Sequence, residues 1–218
     1  MFGIISNLLF PSKHICLICK ENYGHNRFIC DNCQSSLEVV HEEIHSDSKY
    51  IKKVYYSLFY NRFIRELIKK YKFNGKNYLY KAFGEILVET IEKNNLSQDI
   101  DMVTYVPSHR RKEALRGYNQ AELLARYIAE KIEKPLCREN LVKTKWTEEQ
   151  SHSNKADRVV NLRDSFHLKK PEKIQKKRIL LVDDLITTGA TMEECGKILI
   201  RNGAKEIIGL ALTSSKNN

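Results

Sequence analysis

The sequence predicts an α/β fold, in which a mostly parallel sheet is flanked by helices, with a small N-terminal unit built on four cysteines. Apolar segments of strand length alternate with amphipathic helical segments, and the two strands near the C-terminus contain continuous rather than alternating apolar runs. Continuous apolarity is typical of parallel strands that are covered on both faces. Four cysteines and little periodicity set the first segment apart. We therefore expect a four-cysteine zinc-binding unit over residues 1–48 and an α/β domain over 49–218.

The first half of the α/β domain is predicted from its periodicity. Residues 51–60, rich in Tyr, Phe and Val, indicate a strand. A helix over 61–71 follows, with Phe63 and Tyr71 on its apolar face, and a second amphipathic helix spans about 79–94. A short buried strand at 102–107 comes next.

The second half contains the clearest signals. Asn119 is placed to cap a helix that ends before Pro135, and the polar stretch 143–164 predicts a long lid-like loop. A buried strand starts at Arg178, and a Thr-rich turn then leads into a helix with Thr191 and Glu194 in capping-box spacing. The last strand covers 207–212.

Composition restricts the class of protein. With 42% apolar and 29% charged residues among 218, the chain is neither disordered nor collagen-like. No apolar run reaches about eighteen residues, and the first residues lack the features of a secretory signal, so we expect a cytoplasmic protein without a membrane span. The net charge of +10 suits a polyanionic partner, although it could serve only solubility.

Two Cys-x-x-Cys pairs, Cys16 with Cys19 and Cys30 with Cys33, predict a metal site. Four thiolates satisfy tetrahedral zinc and leave no open position, so the zinc would be structural. The alternatives are a reactive dithiol or two local disulfides. We interpret Cys137 and Cys195 as buried thiols.

Two adjacent carboxylates, Asp183 and Asp184, end the strand that begins at Arg178. Ligands of open α/β sheets bind at this end of the strands. The turn Thr187–Thr191 can present N–H groups and hydroxyls to a phosphate, and the acids can hold ribose hydroxyls directly or through Mg²⁺. The alternative is an acidic pair with no ligand.

This segment, LLVDDLITTGAT, resembles the phosphoribosyl pyrophosphate (PRPP) loop of type I phosphoribosyltransferases. With the cysteine pairs, the whole chain resembles the ComF family, which is associated with natural transformation and uptake of single-stranded DNA. The similarity extends over KFNG at 72–75, VPSHRRKEALRGYNQAELLA at 106–125 and QSHSNKADRVVNLRDSF at 150–166.

The resemblance implies a type I phosphoribosyltransferase-like sheet and a PRPP–Mg²⁺ site, but it identifies no catalytic residue. Asp183 and Asp184 would contact the ribose hydroxyls, and the loop at 143–164 would be the lid. The 5′-phosphate would bind to Thr187, Thr188, Gly189, Ala190 and Thr191. The pyrophosphate loop would begin with Val106, Pro107 and Ser108, followed by Arg110 and Arg111.

Single-stranded DNA is the second partner that the resemblance implies, and other competence or DNA-processing proteins are further candidate partners. Basic residues interleaved with aromatic ones suit sequence-tolerant binding of single strands, although several aromatic side chains have core spacing. The alternative functions are an active phosphoribosyltransferase of nucleotide salvage or biosynthesis with an unknown acceptor, and a protein-docking module. The candidate nucleic-acid contacts are Arg62, Arg65, Lys69, Lys70, Lys72, Arg116, Arg158 and Arg163.

Overall fold

The computed structural model describes residues 14–24, 27–45, 47–73, 75–146, 162 and 164–215. Most of the predicted lid, including Arg158 and Arg163, lies outside these residues. In chain order the elements are β1 (His14–Ile15), β2 (Asn22–Tyr23), α1 (Asp31–Ser36), β3 (Val39–Ile44), β4 (Lys53–Phe59), α2 (Arg62–Phe73), α3 (Tyr80–Lys93), β5 (Met102–Tyr105), α4 (Arg110–Arg116), α5 (Gln120–Lys131), β6 (Leu141–Lys143), β7 (Phe166–Leu168), β8 (Arg178–Ile186), α6 (Ala190–Arg201) and β9 (Glu206–Ser214).

The main sheet has five strands in the order β3-β4-β9-β8-β5. Strands β4, β9, β8 and β5 run parallel, and β3 pairs antiparallel with β4 at one edge. The α/β class and the mostly parallel sheet are confirmed. Strand β3 was not predicted, and it joins the main sheet although it precedes the compositional boundary at residue 48.

Helices cover both faces of the sheet. On one face, α2, α3 and α5 pack against side chains such as Leu180 and Val182 of β8. On the other, α6 packs against Ile179 and Leu181, which alternate with the first pair along the same strand. Helix α6 lies so close to β9 that a Cβ atom on Gly209 would come within 2.6 Å of Met192 Sδ. This double coverage explains the continuous apolar runs at 179–182 in β8 and at 207–212 in β9.

The N-terminal unit packs on the face formed by α3 and α5. Ile29 and Leu37 share one apolar cluster with Leu87 and Leu124 of those helices. The ring of Phe28 meets the edge of Tyr127 on α5, with the ring centroids 6.4 Å apart. The cysteine-bearing segment is therefore part of the main core.

Three local predictions need correction. Phe63 is 37% exposed and lies outside the core, whereas Tyr71 is fully buried. Helix α6 begins at Ala190 with Gly189 as its N-cap, so Thr191 is inside the helix and forms no capping box. Helix α4 was not predicted, because none of its residues is buried and it therefore has no apolar stripe. Asn119 caps α5 as expected.

Candidate functional site

The loops after β5 and β8 begin side by side at the carboxyl edge of the sheet. In the parallel register Tyr105 is opposite Val182, and the Val106 N–H donates to the Val182 carbonyl over 2.9 Å. The next residues on the two strands are therefore the Val106–Ser108 loop and Asp183. Two segments that are 77 residues apart in sequence form one crevice, which is the ligand end of a parallel sheet.

The acid pair lines this crevice within the last residues of β8. Asp184 is 6% exposed, and its backbone N–H donates to Asp183 Oδ1 over 2.8 Å. Desolvation of the Asp183 carboxyl and the neighbouring Asp184 carboxylate raise the pKa of Asp183 to about 8, while the Lys72 ammonium opposes this rise. The pair therefore carries less than two negative charges near neutral pH.

Lys72 reaches the acid pair from the last turn of α2. Its Nζ lies 2.8 Å from Asp184 Oδ2, and the two side chains are 19% and 9% exposed. We predicted Lys72 as a nucleic-acid contact, and the structure places its ammonium group beside Asp184 in the acidic crevice. The KFNG motif was part of the family similarity and did not indicate a partner for this lysine, since periodicity assigns it to the polar face of the helix.

The Thr-rich turn joins β8 to α6. Gly189 has φ 80°, in the left-handed region that a residue with a side chain rarely adopts. The Ala190 N–H donates to Thr188 Oγ1 over 3.3 Å, and Thr187 is exposed. Since α6 starts here, its first backbone N–H groups and the positive end of its dipole face the end of the strand. Thr187, Thr188, Gly189, Ala190 and Thr191 thus lie together in one turn, as predicted.

The loop after β5 continues into α4. Val106 and Pro107 are buried, and Ser108 Oγ donates to Glu113 Oε1 over 2.9 Å. His109 caps α4 by accepting the Arg111 N–H at Nδ1 over 3.2 Å. Arg110 and Arg111 are exposed, so their guanidinium groups are accessible to an anion at the mouth of the crevice.

Two exposed aromatic rings flank α4, each beside cationic side chains. Phe73, next to Lys72, is 61% exposed and has the Arg116 guanidinium carbon 4.6 Å from its ring centroid. Trp146 is 38% exposed, with Arg111 and Lys112 at 5.7 and 6.0 Å. We call these two rings and the cations beside them the α4 surface. Trp146 was missed, although it is the sequence's single tryptophan and directly precedes TEEQ of the predicted lid.

The remaining predicted nucleic-acid contacts within the described residues lie on α2. Four of them are exposed on its outer face, where Glu66 forms an ion pair with Lys69. These residues therefore form a basic strip on the same helix that carries Lys72, which reaches the acidic crevice. The members of this strip are Arg62, Arg65, Lys69 and Lys70.

The four cysteines converge in the N-terminal unit. Their Sγ atoms all lie within 4.8 Å of one another, and Cys19 Sγ is 3.7 Å from Cys30 Sγ. A zinc–sulfur bond of about 2.3 Å in a tetrahedron requires sulfur atoms about 3.8 Å apart. All four are free thiols, and the Cys30 N–H donates to Cys16 Sγ over 3.4 Å, as backbone groups around zinc thiolates do. The donor set therefore fits a structural zinc ion.

A divalent cation bound directly between the two acids fits less well. Carboxylate oxygens are suitable ligands for Mg²⁺, which needs them at about 2.0–2.1 Å. However, Asp184 Oδ2 already has an ammonium nitrogen at 2.8 Å, and a second cation at that oxygen would be repelled. The chemistry of the pair thus suits hydroxyl groups better than a bare metal ion.

Comparison with known families agrees with this architecture. The family model described as phosphoribosyl transferase domain matches residues 116–218, which include β8, the acid pair and the turn into α6. With the strand order and the crevice between β5 and β8, this match defines a protein of the type I phosphoribosyltransferase fold.

Individual proteins with sequence similarity to this chain include competence proteins. Competence protein ComFC of Bacillus subtilis is 29% identical over 90% of this chain and 82% of its own length. Competence protein F of Haemophilus influenzae is 28% identical over 65% of this chain, and the match spans 63% of that protein. Orotate phosphoribosyltransferase of Aeropyrum pernix, a solved structure, is 17% identical over 83% of this chain and 78% of that chain, with a TM-score of 0.38. The chain is a ComF-like protein with this fold.

Proposed function

We propose that this chain binds PRPP in the crevice between β5 and β8 and acts in natural transformation, as the names of its relatives suggest. One observation carries the binding proposal: the parallel register starts the Val106–Ser108 loop directly beside Asp183. A ligand with a ribose between two phosphate groups needs acceptors for the ribose hydroxyls and two phosphate-binding loops in one place. The crevice supplies hydroxyl acceptors, a phosphate turn and a second loop with cations beside it.

Each part has a role in the proposed complex. Asp183 and Asp184 accept hydrogen bonds from the ribose hydroxyls. The turn Thr187–Thr191 binds the 5′-phosphate through backbone N–H groups and hydroxyls, supported by the α6 dipole. The loop Val106–Ser108 holds the pyrophosphate, with Arg110 and Arg111 at the crevice mouth. Mg²⁺ bound with the pyrophosphate would supply charge neutralisation to that leaving group.

We also propose a cytoplasmic location, because four cysteines whose Sγ atoms could together hold one zinc ion suit a reducing compartment. Within the described residues, no helix has the length and apolarity needed to cross a membrane.

Phosphorus NMR tests the binding proposal and separates binding from turnover. The protein is added to PRPP with Mg²⁺, and nucleobases and ammonia are then added in turn. We expect the PRPP resonances to shift or broaden on adding protein. Free pyrophosphate that accumulates only with one acceptor would identify an active phosphoribosyltransferase and its substrate. Unperturbed PRPP spectra at millimolar protein would refute the site.

The α4 surface favours single-stranded nucleic acid as a second ligand. Stacking platforms beside cations are what sequence-tolerant single-strand binding uses. Phe73 and Trp146 provide exposed rings, and Arg111, Lys112 and Arg116 provide charges next to them. Helix α4 between them has no buried residue, so burial in the core does not account for its basic sequence.

Fluorescence anisotropy with a labelled single strand tests this second function. We expect salt-dependent binding, with a slope of log K against log salt near −0.7 for each phosphate neutralised. Phe73→Ala and Trp146→Ala should each weaken binding about 5-fold or more, since a stacked base contributes roughly 1–3 kcal/mol. Ile15→Ala, which removes an exposed apolar side chain from the N-terminal unit, is the control. Equal affinity in all four proteins would exclude the α4 surface as the binding site.

A further inference from the structure

Lys72 is held in the acidic crevice by its two neighbours in sequence. Tyr71 is fully buried, and its hydroxyl donates to the Gln120 carbonyl over 2.8 Å, which ties the end of α2 to the start of α5. The Tyr118 hydroxyl donates to the Tyr71 carbonyl. On the other side of Lys72, the Phe73 ring packs beside Arg116. The last turn of α2 is thus anchored through Tyr71, and this places the Lys72 ammonium group at the crevice.

The ammonium group changes the charge of the crevice. Two ionised carboxylates would carry −2, and Lys72 at 2.8 Å from Asp184 reduces this to −1. Because its pKa is raised, Asp183 is partly protonated near neutral pH, and the net charge of the crevice is then still closer to zero. A bare pair of carboxylates would need a divalent cation before it could lie beside a phosphorylated ligand, whereas this crevice has its own cation.

The position of the ammonium also matters. It lies at hydrogen-bond distance from Asp184 Oδ2, where a directly bound metal ion would otherwise approach. Removal of one partner from a largely buried ion pair leaves an uncompensated charge, which then recruits a cation or a proton. A variant without the ammonium group should therefore recruit a metal ion or a proton at this oxygen.

We infer that Lys72 is a built-in counter-cation of the acid pair, so that the ribose 5-phosphate part of the ligand binds without a divalent metal ion. Lys72 is in this respect a positioning residue, which keeps the Asp184 carboxylate oriented for a ribose hydroxyl. The inference rests on the proposed PRPP site, and it adds that any metal requirement arises from the pyrophosphate and not from the acid pair.

Isothermal titration calorimetry with ribose 5-phosphate tests the inference, because this probe lacks the pyrophosphate that binds Mg²⁺. The full chain is titrated in metal-depleted buffer and in about 5 mM Mg²⁺; no chelator is added, so that zinc is retained, and zinc content is checked. We expect the dissociation constants of the natural chain to agree within about threefold. Lys72→Met should bind ribose 5-phosphate at least about tenfold more weakly than the natural chain without Mg²⁺. With Mg²⁺, most of the lost affinity should return. Lys72→Arg should bind like the natural chain.

Lys205→Met is the matched control, because Lys205 is an exposed lysine next to the opposite, amino-terminal edge of β9. It should bind ribose 5-phosphate like the natural chain in both buffers. A second readout needs no sugar: water-proton relaxation with Mn²⁺ should reveal a metal site in Lys72→Met that is absent from the natural chain. That site should disappear again when Asp184→Asn is added.

Three outcomes would overturn the inference, and they differ in what else they affect. If the natural chain binds ribose 5-phosphate only with Mg²⁺, Lys72 is not the counter-cation, while the PRPP site stands. If Lys72→Met binds as the natural chain does in both buffers, the ammonium group has no role in binding. If the natural chain binds the sugar phosphate in neither buffer, the proposed PRPP site fails together with the inference.

Discussion

The side chain of Asn119 connects the loop after β5 with the start of α5. Its Nδ2 donates to the Val106 carbonyl over 3.2 Å, while its Oδ1 accepts the Ala121 N–H over 3.0 Å. Asn119 is 5% exposed, so both hydrogen bonds are shielded from water. One amide group therefore caps a core helix and holds the first residue of the proposed pyrophosphate loop.

Asn119→Ala should lower the free energy of unfolding by about 1–3 kcal/mol. The variant loses a helix cap and leaves the Val106 carbonyl without this donor. Asn119→Ser separates the two roles, since serine can cap the helix but is too short to reach Val106. Urea unfolding of both variants measures the difference. A serine variant as unstable as the alanine variant would show that the loop contact, and not the cap, carries the effect.

The acid pair should be essential for ligand binding but not for folding. Asp183→Asn with Asp184→Asn replaces the two carboxyl groups by neutral amides of similar size. A hydrogen bond to a charged group contributes about 1.5–3 kcal/mol and one to a neutral group about 0.5–1.5 kcal/mol, so loss of one of each should lower PRPP affinity by about 30-fold or more. Calorimetry measures the affinity, and circular dichroism with zinc analysis checks the fold. Asp99→Asn, at the opposite end of the sheet, is the control and should bind normally.

Local sequence signals were sufficient for the elements of the parallel sheet. Strands β5, β8 and β9 are short apolar runs between polar segments, and α2, α3 and α5 carry apolar stripes, so each was located within a few residues. Strand β3 has no such run: VVHEEI alternates irregularly, and its register with β4 shifts between Val39 and Glu42. An edge strand of this kind depends on its partner for its conformation.

The candidate site was predictable where its chemistry is continuous in sequence. Asp183, Asp184 and the turn up to Thr191 are consecutive, so strand, acids and glycine could be interpreted together. Lys72 could not be paired with Asp184, because 112 positions separate them and only the docking of α2 on α5 brings the ammonium to the carboxylate. The same holds for Trp146 and Arg111, whose proximity depends on tertiary structure.

Zinc removal should unfold the N-terminal unit and loosen the face of the sheet that it covers. Cys33→Ser removes one of the four sulfur ligands, and we expect loss of bound zinc with a fall in Tm of about 10 °C or more, because metal binding contributes directly to folding. Cys195→Ala changes a buried cysteine outside the cluster and should retain one zinc ion per chain. Elemental analysis and thermal unfolding measure both effects. Stoichiometric zinc in Cys33→Ser would contradict the four-cysteine site.

The raised pKa of Asp183 predicts that burial of this carboxyl group lowers the free energy of unfolding at neutral and alkaline pH. The carboxyl group keeps its proton up to about pH 8 in the folded chain but loses it near its ordinary value of 3.8 when unfolded. Between these values the folded state binds more protons than the unfolded state, so stability must fall as the pH rises from about 4 to about 8.

Asp183→Asn removes this titration while keeping the size of the side chain. The variant should therefore be more stable than the natural chain, by an amount that grows with pH over this interval and levels off above about pH 8. Thermal unfolding at pH 5, 6.5 and 8 measures the difference, and a gain of a few degrees at pH 8 is expected. The gain should be smallest at pH 5, because there the natural carboxyl is still protonated and resembles the amide. A difference in Tm that stays constant or shrinks with pH would show that Asp183 is ionised in the folded chain, with Lys72 compensating both acids.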